Sequence, residues 1–491
     1  MKKVALLMTL VLLLSRASAF SFSQDSTPLV HTNTRVVLLD VVVTDKAGNP
    51  IRTLTRDDFT VSENGVPQKI SSFEPPVPSA SSILPNSPRT IILLDELNIA
   101  YADLSYARDR IMLFLAQNHL QQTPISLMTL NLRGLSVLQD YTQDHELLKE
   151  KLMQFRPAML NPVEGEGEQG KVQEHAQRSI NSLIDIAHAS LGSSYNLNVI
   201  WVTGGFAGAL KDTKSADGTQ NGLRRLANLL MSARIRLYTI DPGGVKPLAA
   251  TVVATPSGDK MSASNHLTGT HNNDDLALLG TAYEANQLLT VLTGMMGGHA
   301  FYGRNDVEVA LSQAVADGAA NYSLSYSPSN TDFKGEYRKI EIHTNIEGAT
   351  ARTRLGYYAD ADAPAPTPEM REVKWTAALS SPLAYAAFAL TCPLTYNAST
   401  GRATGTLTVK PTPIIMEAEQ QSREIIRVAG LSNSGAILTS WSWQIDWKKT
   451  WTNRVTTASF DKVLPKKTHS VRFLVSDPAS EHIGTCDYPI P

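Results

Sequence analysis

The side chains best placed for chemistry stand at the end of an apolar run. RTIILLDELN (Arg89 to Asn98) reads as a buried strand that stops at Asp95, with Glu96 and Asn98 next. Carboxylate and amide oxygens gathered at a strand end suit a hard cation such as Mg²⁺ or Mn²⁺. The same aspartate can instead serve the backbone, accepting hydrogen bonds that orient the loop after the strand. A second cluster, HLTGTHNNDD, holds His266, His271, Asp274 and Asp275. No helical or hairpin spacing fixes these four, so a solvated loop is expected there and not a zinc site.

Other motifs carry less. GEGEQG (Gly165 to Gly170) matches a dinucleotide-binding spacing, but Glu164, Glu166 and Glu168 would repel a pyrophosphate and no strand precedes it. It reads as an acidic loop. SGDK sets Ser257 three residues before Lys260 in a polar loop, where that spacing does not bring the two side chains together. No G-x-S-x-G, P-loop or paired-cysteine motif occurs. Cys392 and Cys486 are the two cysteines, and they can form one bridge or remain buried thiols. SWSWQIDWKKTW gathers Trp441, Trp443, Trp447 and Trp451. Trp441 and Trp443 share one strand face and suit a sandwich core. Trp447 and Trp451, beside Lys448 and Lys449, are the surface candidates for stacking or protein contact.

The elements that must position these groups follow from hydrophobic period. Arg35 to Phe73 alternates apolar and polar residues around Gly-Asn-Pro and Asn-Gly turns, a small antiparallel unit. EPPVPSASSILPNSP is a Pro/Ser linker. From Arg89 strands alternate with helices, among them TIILLD, ADLSYARDRIMLFLAQN, ISLMTLNL, LSVLQDY, HELLKEKLMQF, NVIWVTGGF, GLRRLANLLMSARI and RLYTID. That order implies a mostly parallel sheet covered on both faces. At Asn321 the period returns to two, and three short strands too few to stand alone are expected to join the first β unit as one β-sandwich. ADADAPAPTPE is a second linker, and 371–491 is expected to form another sandwich.

Bulk properties bound the function. A 491-residue chain with 42 % hydrophobic and 18 % charged residues can bury several cores. Its formal charge of −2, with no basic block, argues against nucleic acid as partner. MKK, the apolar run Val4 to Leu14 and Ala17-Ser18-Ala19 form a secretory signal expected to be cut after Ala19, leaving no membrane span in the mature chain.

The elements RTIILLDELN, ISLMTLNLRGLSVLQDYTQD, NVIWVTGG, RLYTID and LTGMMGGHAFYGRNDVEVALSQAVADGAANYSLSYSP resemble a von Willebrand factor A domain. With DVVVTDKAGNPIRTLTRDDFTVSENGVPQKISSF in front and YRKIEIHT and TRLGYY behind, residues 30–360 are similar to the VWFA-related proteins of Acidobacteria and their relatives. The resemblance implies a doubly wound sheet and an exported binding or adhesion role. It also implies a test of the metal site, because metal-binding members carry D-x-S-x-S, a second-loop Thr and an Asp after the fourth strand. Here Asp95 matches, Leu97 and Ile99 replace the serines, no Thr lies between Gln143 and Val202, and Gly204 stands in place of the last Asp.

The organisation expected is therefore a signal at 1–19, a discontinuous β-sandwich at 30–75 and 320–358, an A-type α/β domain at 89–318, a linker at 359–370 and a C-terminal β-sandwich at 371–491. The function expected is non-enzymatic binding of a protein ligand, with no cofactor and a degenerate metal site. Ligands of open α/β sheets bind at the C-terminal strand ends. The rim is thus assigned to Asp95, Glu96, Asn98, Thr203, Gly204, Gly205 and Asp241, with Phe206 and the loop after Asp241 beside them. Alternatives are an envelope hydrolase or metalloenzyme using the 242–275 loop, and a structural component of an envelope assembly.

Overall fold

Valine and leucine crowd the first strand of the structure, a computed structural model that describes residues 35–76, 87–117, 123–157, 169–205, 216–245, 286–361, 366–411, 423–446, 456–477 and 482–491. The signal segment, Phe206, most of the acidic loop, the Ser257/Lys260 and His266/His271 groups, Trp447 and Trp451 lie outside them. Strand β1 (Val37–Thr44) buries Leu39, Val41 and Val43. β2 (Phe59–Glu63) and β3 (Val66–Gln68) form a hairpin, and β4 (Ile70–Glu74) follows. The hairpin turns at Asn64-Gly65, both at positive φ (49° and 79°), a conformation Asn and Gly tolerate.

The α/β part then runs β5 (Arg89–Asp95), α1 (Tyr101–Leu115), β6 (Ile125–Asn131), β7 (Gly134–Thr142), α2 (His145–Gln154), α3 (Gln169–Ser190), β8 (Leu197–Val202), α4 (Ala216–Ser232) and β9 (Ile235–Ile240). Helix α5 (286–295), β10 (Ala300–Phe301) and α6 (Val307–Ala319) complete it. The strands form one six-stranded sheet in the order β10-β9-β8-β5-β6-β7. All neighbours are parallel except β6 and β7. Because side chains alternate along a strand, Ile91 and Leu93 meet α3, α4 and α5 on one face. Ile92 and Leu94 meet α1, α2 and α6 on the other. Continuous apolar runs such as TIILL are what a sheet buried on both faces requires.

The chain then returns to the first β unit. β11 (Tyr322–Tyr326) lies between β1 and β4, and β12 (Tyr337–Thr344) pairs with β2. With β13 (Thr350–Arg352) and β14 (Gly356–Tyr358) this gives two four-stranded sheets, β13-β1-β11-β4 and β14-β12-β2-β3. Leu39, Val41, Phe59, Val61, Tyr322 and Ile340 from both sheets share one apolar core.

The segment expected to close a linker and open a β domain is helical instead. Thr367 caps α7 (Pro368–Ser380), its hydroxyl accepting from the Met370 amide at 3.3 Å. Proline at the first helical position suits its fixed φ, so the Pro-rich stretch ends in a helix start. After α7 come β15 (Phe388–Thr391), β16 (Leu394–Asn397), β17 (Arg402–Pro411), β18 (Arg423–Leu431), β19 (Ile437–Asp446), β20 (Thr456–Val463), β21 (Ser470–Ser476) and β22 (Ile483–Pro489). They make two further four-stranded sheets. Cys392 and Cys486 are joined by a disulfide across 94 residues of sequence. Trp375, Leu379, Leu383 and Leu474 from this part share the α3-side core of the α/β sheet. The Ala386 amide also donates to the Ala189 carbonyl at 2.9 Å.

Candidate functional site

Asp95 ends β5 with no solvent exposure. Its position on the strand gives it the same face as Leu93 and aims it towards α3. Five donors surround it. The Leu97 amide donates to Oδ1 at 3.1 Å. Oδ2 accepts from Asn98 Nδ2 at 2.7 Å, Thr203 Oγ1 at 2.9 Å, Trp201 Nε1 at 3.1 Å and, more distantly, Ser179 Oγ at 3.5 Å. Burial pushes the Asp95 carboxyl above its usual range, and the bonds from Asn98, Thr203, Leu97 and Trp201 pull the other way.

The surrounding loop is tied to the same centre. Asn98 Nδ2 also reaches Ser179 Oγ at 2.9 Å, and the Asn98 carbonyl accepts from the Gly204 amide at 3.2 Å. A Cβ at Gly204 would stand 2.5 Å from that carbonyl oxygen, so only glycine lets the β5 and β8 loops meet. Gly205 donates to Thr203 Oγ1 at 3.1 Å. His175, one turn before Ser179 on α3, sits with Nδ1 3.0 Å from the Leu97 carbonyl. The 95–98 loop is thus clamped from below by α3 and from the side by β8.

The structure brings together five of the seven residues expected at the rim and separates Glu96 and Asp241 from them. Asp95, Asn98, Thr203 and Gly204 form one network. Gly205 closes on Thr203. Glu96 turns away from Asp95 and is met by Asn131 Nδ2 at 3.3 Å. Asp241 directly follows β9 and uses Oδ1 to accept the Gly243 amide at 2.8 Å, a local turn. Asp95, Glu96, Thr203 and Asp241 are buried, and Asn98, Gly204 and Gly205 are half-buried. Sequence reading missed Trp201 and Ser179. An indole in a fully buried parallel strand had to find an acceptor for its N–H, which is the signal that could have exposed Trp201. Nothing in the pattern of α3 marks Ser179.

The residues present do not fit a divalent cation. Mg²⁺ takes oxygen ligands, whereas three of the groups aimed at Asp95 are N–H donors that would point protons at the ion. Among the described residues no three His, Cys, Asp or Glu side chains gather as a metal set. Trp441 and Trp443 pack against the core of the last two sheets, and Trp441 meets Phe460 edge-on at 5.6 Å. Among the described residues no helix is long and apolar enough to cross a membrane.

Fold and site together define a mixed α/β protein with a largely parallel sheet, many further strands and a strand-end carboxylate caged by hydrogen-bond donors. No family model and no curated protein sequence matches the chain. Among solved structures it is similar to the N-terminal domain of TFIIH p34, at 16 % identity and a TM-score of 0.19, over 32 % of this chain and 81 % of that one. The SpRpn10 VWA domain is similar at 16 % identity and 0.18, over 32 % and 89 %. The pilus adhesin SpaC of Lactobacillus rhamnosus GG is similar at 9 % identity and 0.26, over 81 % and 54 %.

Proposed function

We propose that this chain is an exported, non-enzymatic von Willebrand A-type module that binds a protein at the C-terminal edge of its α/β sheet without a metal ion. In this reading each pair of four-stranded sheets is a β-sandwich supporting the α/β part. One observation carries the assignment of the edge. Tyr101, Leu132, Val245 and Tyr302 are exposed by 47, 45, 58 and 47 %, and each follows the C-terminal end of a parallel strand. Four large apolar side chains left in water along one edge are the composition of a contact surface. Asp95 supports metal independence, since its oxygens are occupied by the protein's own donors.

A photo-crosslinking residue placed at Leu132 or Tyr302 of the full chain in its native envelope tests this. Discrete protein adducts are expected from both positions, unchanged by EDTA, with none from Val463, which is 63 % exposed on β20. Equal labelling from Val463, or no adducts from the edge, overturns the assignment. Adducts that EDTA abolishes overturn the metal-free reading.

A further inference from the structure

Among the described residues, β19 is a long sheet edge without the usual protection. It stands at the outside of the sheet β19-β18-β21-β22, and no described strand pairs with its other side. The backbone N–H and C=O groups along such a side can pair with another strand, and proteins ordinarily blunt them with short strands, bulges, proline or charge. The other edges of this protein are blunted in those ways. β3, β10, β13, β14, β15 and β16 have four residues or fewer. β4 and β7 carry register shifts, β20 carries Asp461 and Lys462, and β22 carries Asp487 and Pro489. β19 has ten residues and one irregularity, at Leu438 near its start. From Thr439 to Ile445 its pairing with β18 is regular, and the sequence TSWSWQI has no charge, glycine or proline.

The side chains of β19 are incompletely covered at the same edge. Ser440, Ser442 and Gln444 are exposed on one face, and Trp441 and Trp443 are half-buried on the other. Beside the two indoles on β18, Val428 and Ile426 have no exposure, so cover of this core thins at β19 itself. Neither indole N–H meets an acceptor among the described residues, although a tryptophan in a core ordinarily finds one. The opposite edge of the same sheet is closed. There Cys486 of β22 is bridged to Cys392 and Gly484 pairs with Ala386, on either side of β15.

We propose that β19 is the interface for a second copy of this chain, the two β19 strands pairing antiparallel about a two-fold axis through Trp441. An axis normal to the sheet reverses strand direction and keeps each face on its own side. Trp441 then meets the partner's Trp441, Thr439 the partner's Trp443 and Ser440 the partner's Ser442. Aromatic pairs, aromatic–β-branched pairs and paired hydroxyls are cross-strand combinations that stabilise antiparallel sheets. No like charges meet, because Asp446, the one charge on β19, falls past the end of the partner's strand. A strand from an unrelated chain would have to reproduce this alternation, whereas β19 supplies it by itself. Two-fold pairing also consumes both free edges, so the assembly closes as a dimer. The contact uses no part of the binding edge of the α/β sheet.

Sedimentation velocity of the mature full chain over a concentration series tests this. The parent should pass from monomer to dimer and go no further. Ser440→Lys with Ser442→Lys sets lysine opposite lysine twice and should weaken dimerisation by about tenfold or more. Ser440→Lys with Ser442→Glu alters the same exposed positions but sets lysine opposite glutamate, and should dimerise at least as tightly as the parent. Thermal unfolding at dilutions where all three are monomeric should give one melting temperature, which separates lost pairing from lost folding. A parent that stays monomeric, or that forms open-ended oligomers, overturns the proposal. A dimer indifferent to the lysine pair, or one that both folded variants abolish equally, overturns it too.

Discussion

The indole N–H of Trp201 donates to Oδ2 of Asp95 across neighbouring parallel strands, at 3.1 Å and with both side chains fully buried. A tryptophan thus supplies one of the hydrogen bonds that this buried carboxylate requires. Trp201→Phe keeps most of the packing and deletes the donor. It should cost about 1–3 kcal/mol, since a hydrogen bond to a charged group is lost within a buried site. Denaturant unfolding measures it. A variant as stable as the parent would mean that the bond contributes nothing.

The raised Asp95 pKa sets a pH dependence with a definite sign. Below its ordinary carboxylate pKa both folded and unfolded chains hold the proton. Between that value and the raised one, only the folded chain does. The stability contributed by this group is complete at the acid end and is lost as pH rises through the folded pKa. Asp95→Asn lacks a titrating group, so its stability relative to the parent should improve as pH rises through that window. Paired unfolding curves at several pH values would show it, and parallel curves would contradict it.

Gly204→Ala forces a methyl group to 2.5 Å from the Asn98 carbonyl oxygen, a backbone atom that cannot rotate away. The β5 and β8 loops must separate, breaking the Gly204–Asn98 hydrogen bond. A loss of about 1–3 kcal/mol is expected, with faster amide exchange at Gly204 and Gly205. Unchanged exchange there would show that the loops do not depend on the contact.

Arg338 is entirely buried. It donates to Glu63 at 3.2 Å, to Glu336 and to the carbonyls of Asn330 and Asp332. Tyr326 and Tyr357 hydroxyls donate to the other Glu63 oxygen at 2.7 and 3.0 Å, and burial beside that carboxylate raises both phenol pKa values. Arg338→Met leaves Glu63 without its cation and should cost about 3–5 kcal/mol. Arg338→Met with Glu63→Gln should recover part of that loss. If the double variant is no better than the single, Glu63 is not what suffers.

Reduction of the Cys392–Cys486 bridge releases a loop spanning 94 residues of sequence. Chain entropy assigns about 4–5 kcal/mol to a closure of that length. Dithiothreitol, or Cys392→Ser with Cys486→Ser, should therefore lower the unfolding temperature of the last sheets. Identical melting with and without reductant would put the stabilisation elsewhere.

By itself, the sequence determined the alternation of strands and helices, the parallel sheet they imply and the position of Asp95 at a strand end. Those follow from local period: TIILL is apolar on both faces because helices cover both faces, and strand ends are set where the run stops. It also showed Leu97 and Ile99, not hydroxyl residues, in the loop beside Asp95, which is visible without coordinates. What only the tertiary structure decided is what fills the space beside Asp95. Trp201 and Ser179 come from 106 and 84 residues away, and no local pattern registers a donor that arrives through the packing of β8 and α3. The same holds for Glu96, which points to Asn131 and away from Asp95 because successive strand side chains face opposite ways and the Glu96 amide continues the pairing with β6. α7 escaped sequence reading for a different reason. Its Pro-rich approach reads as linker, and its helical start depends on one cap, Thr367, and on burial of Trp375, Ala378 and Leu379 against sheets formed later in the chain.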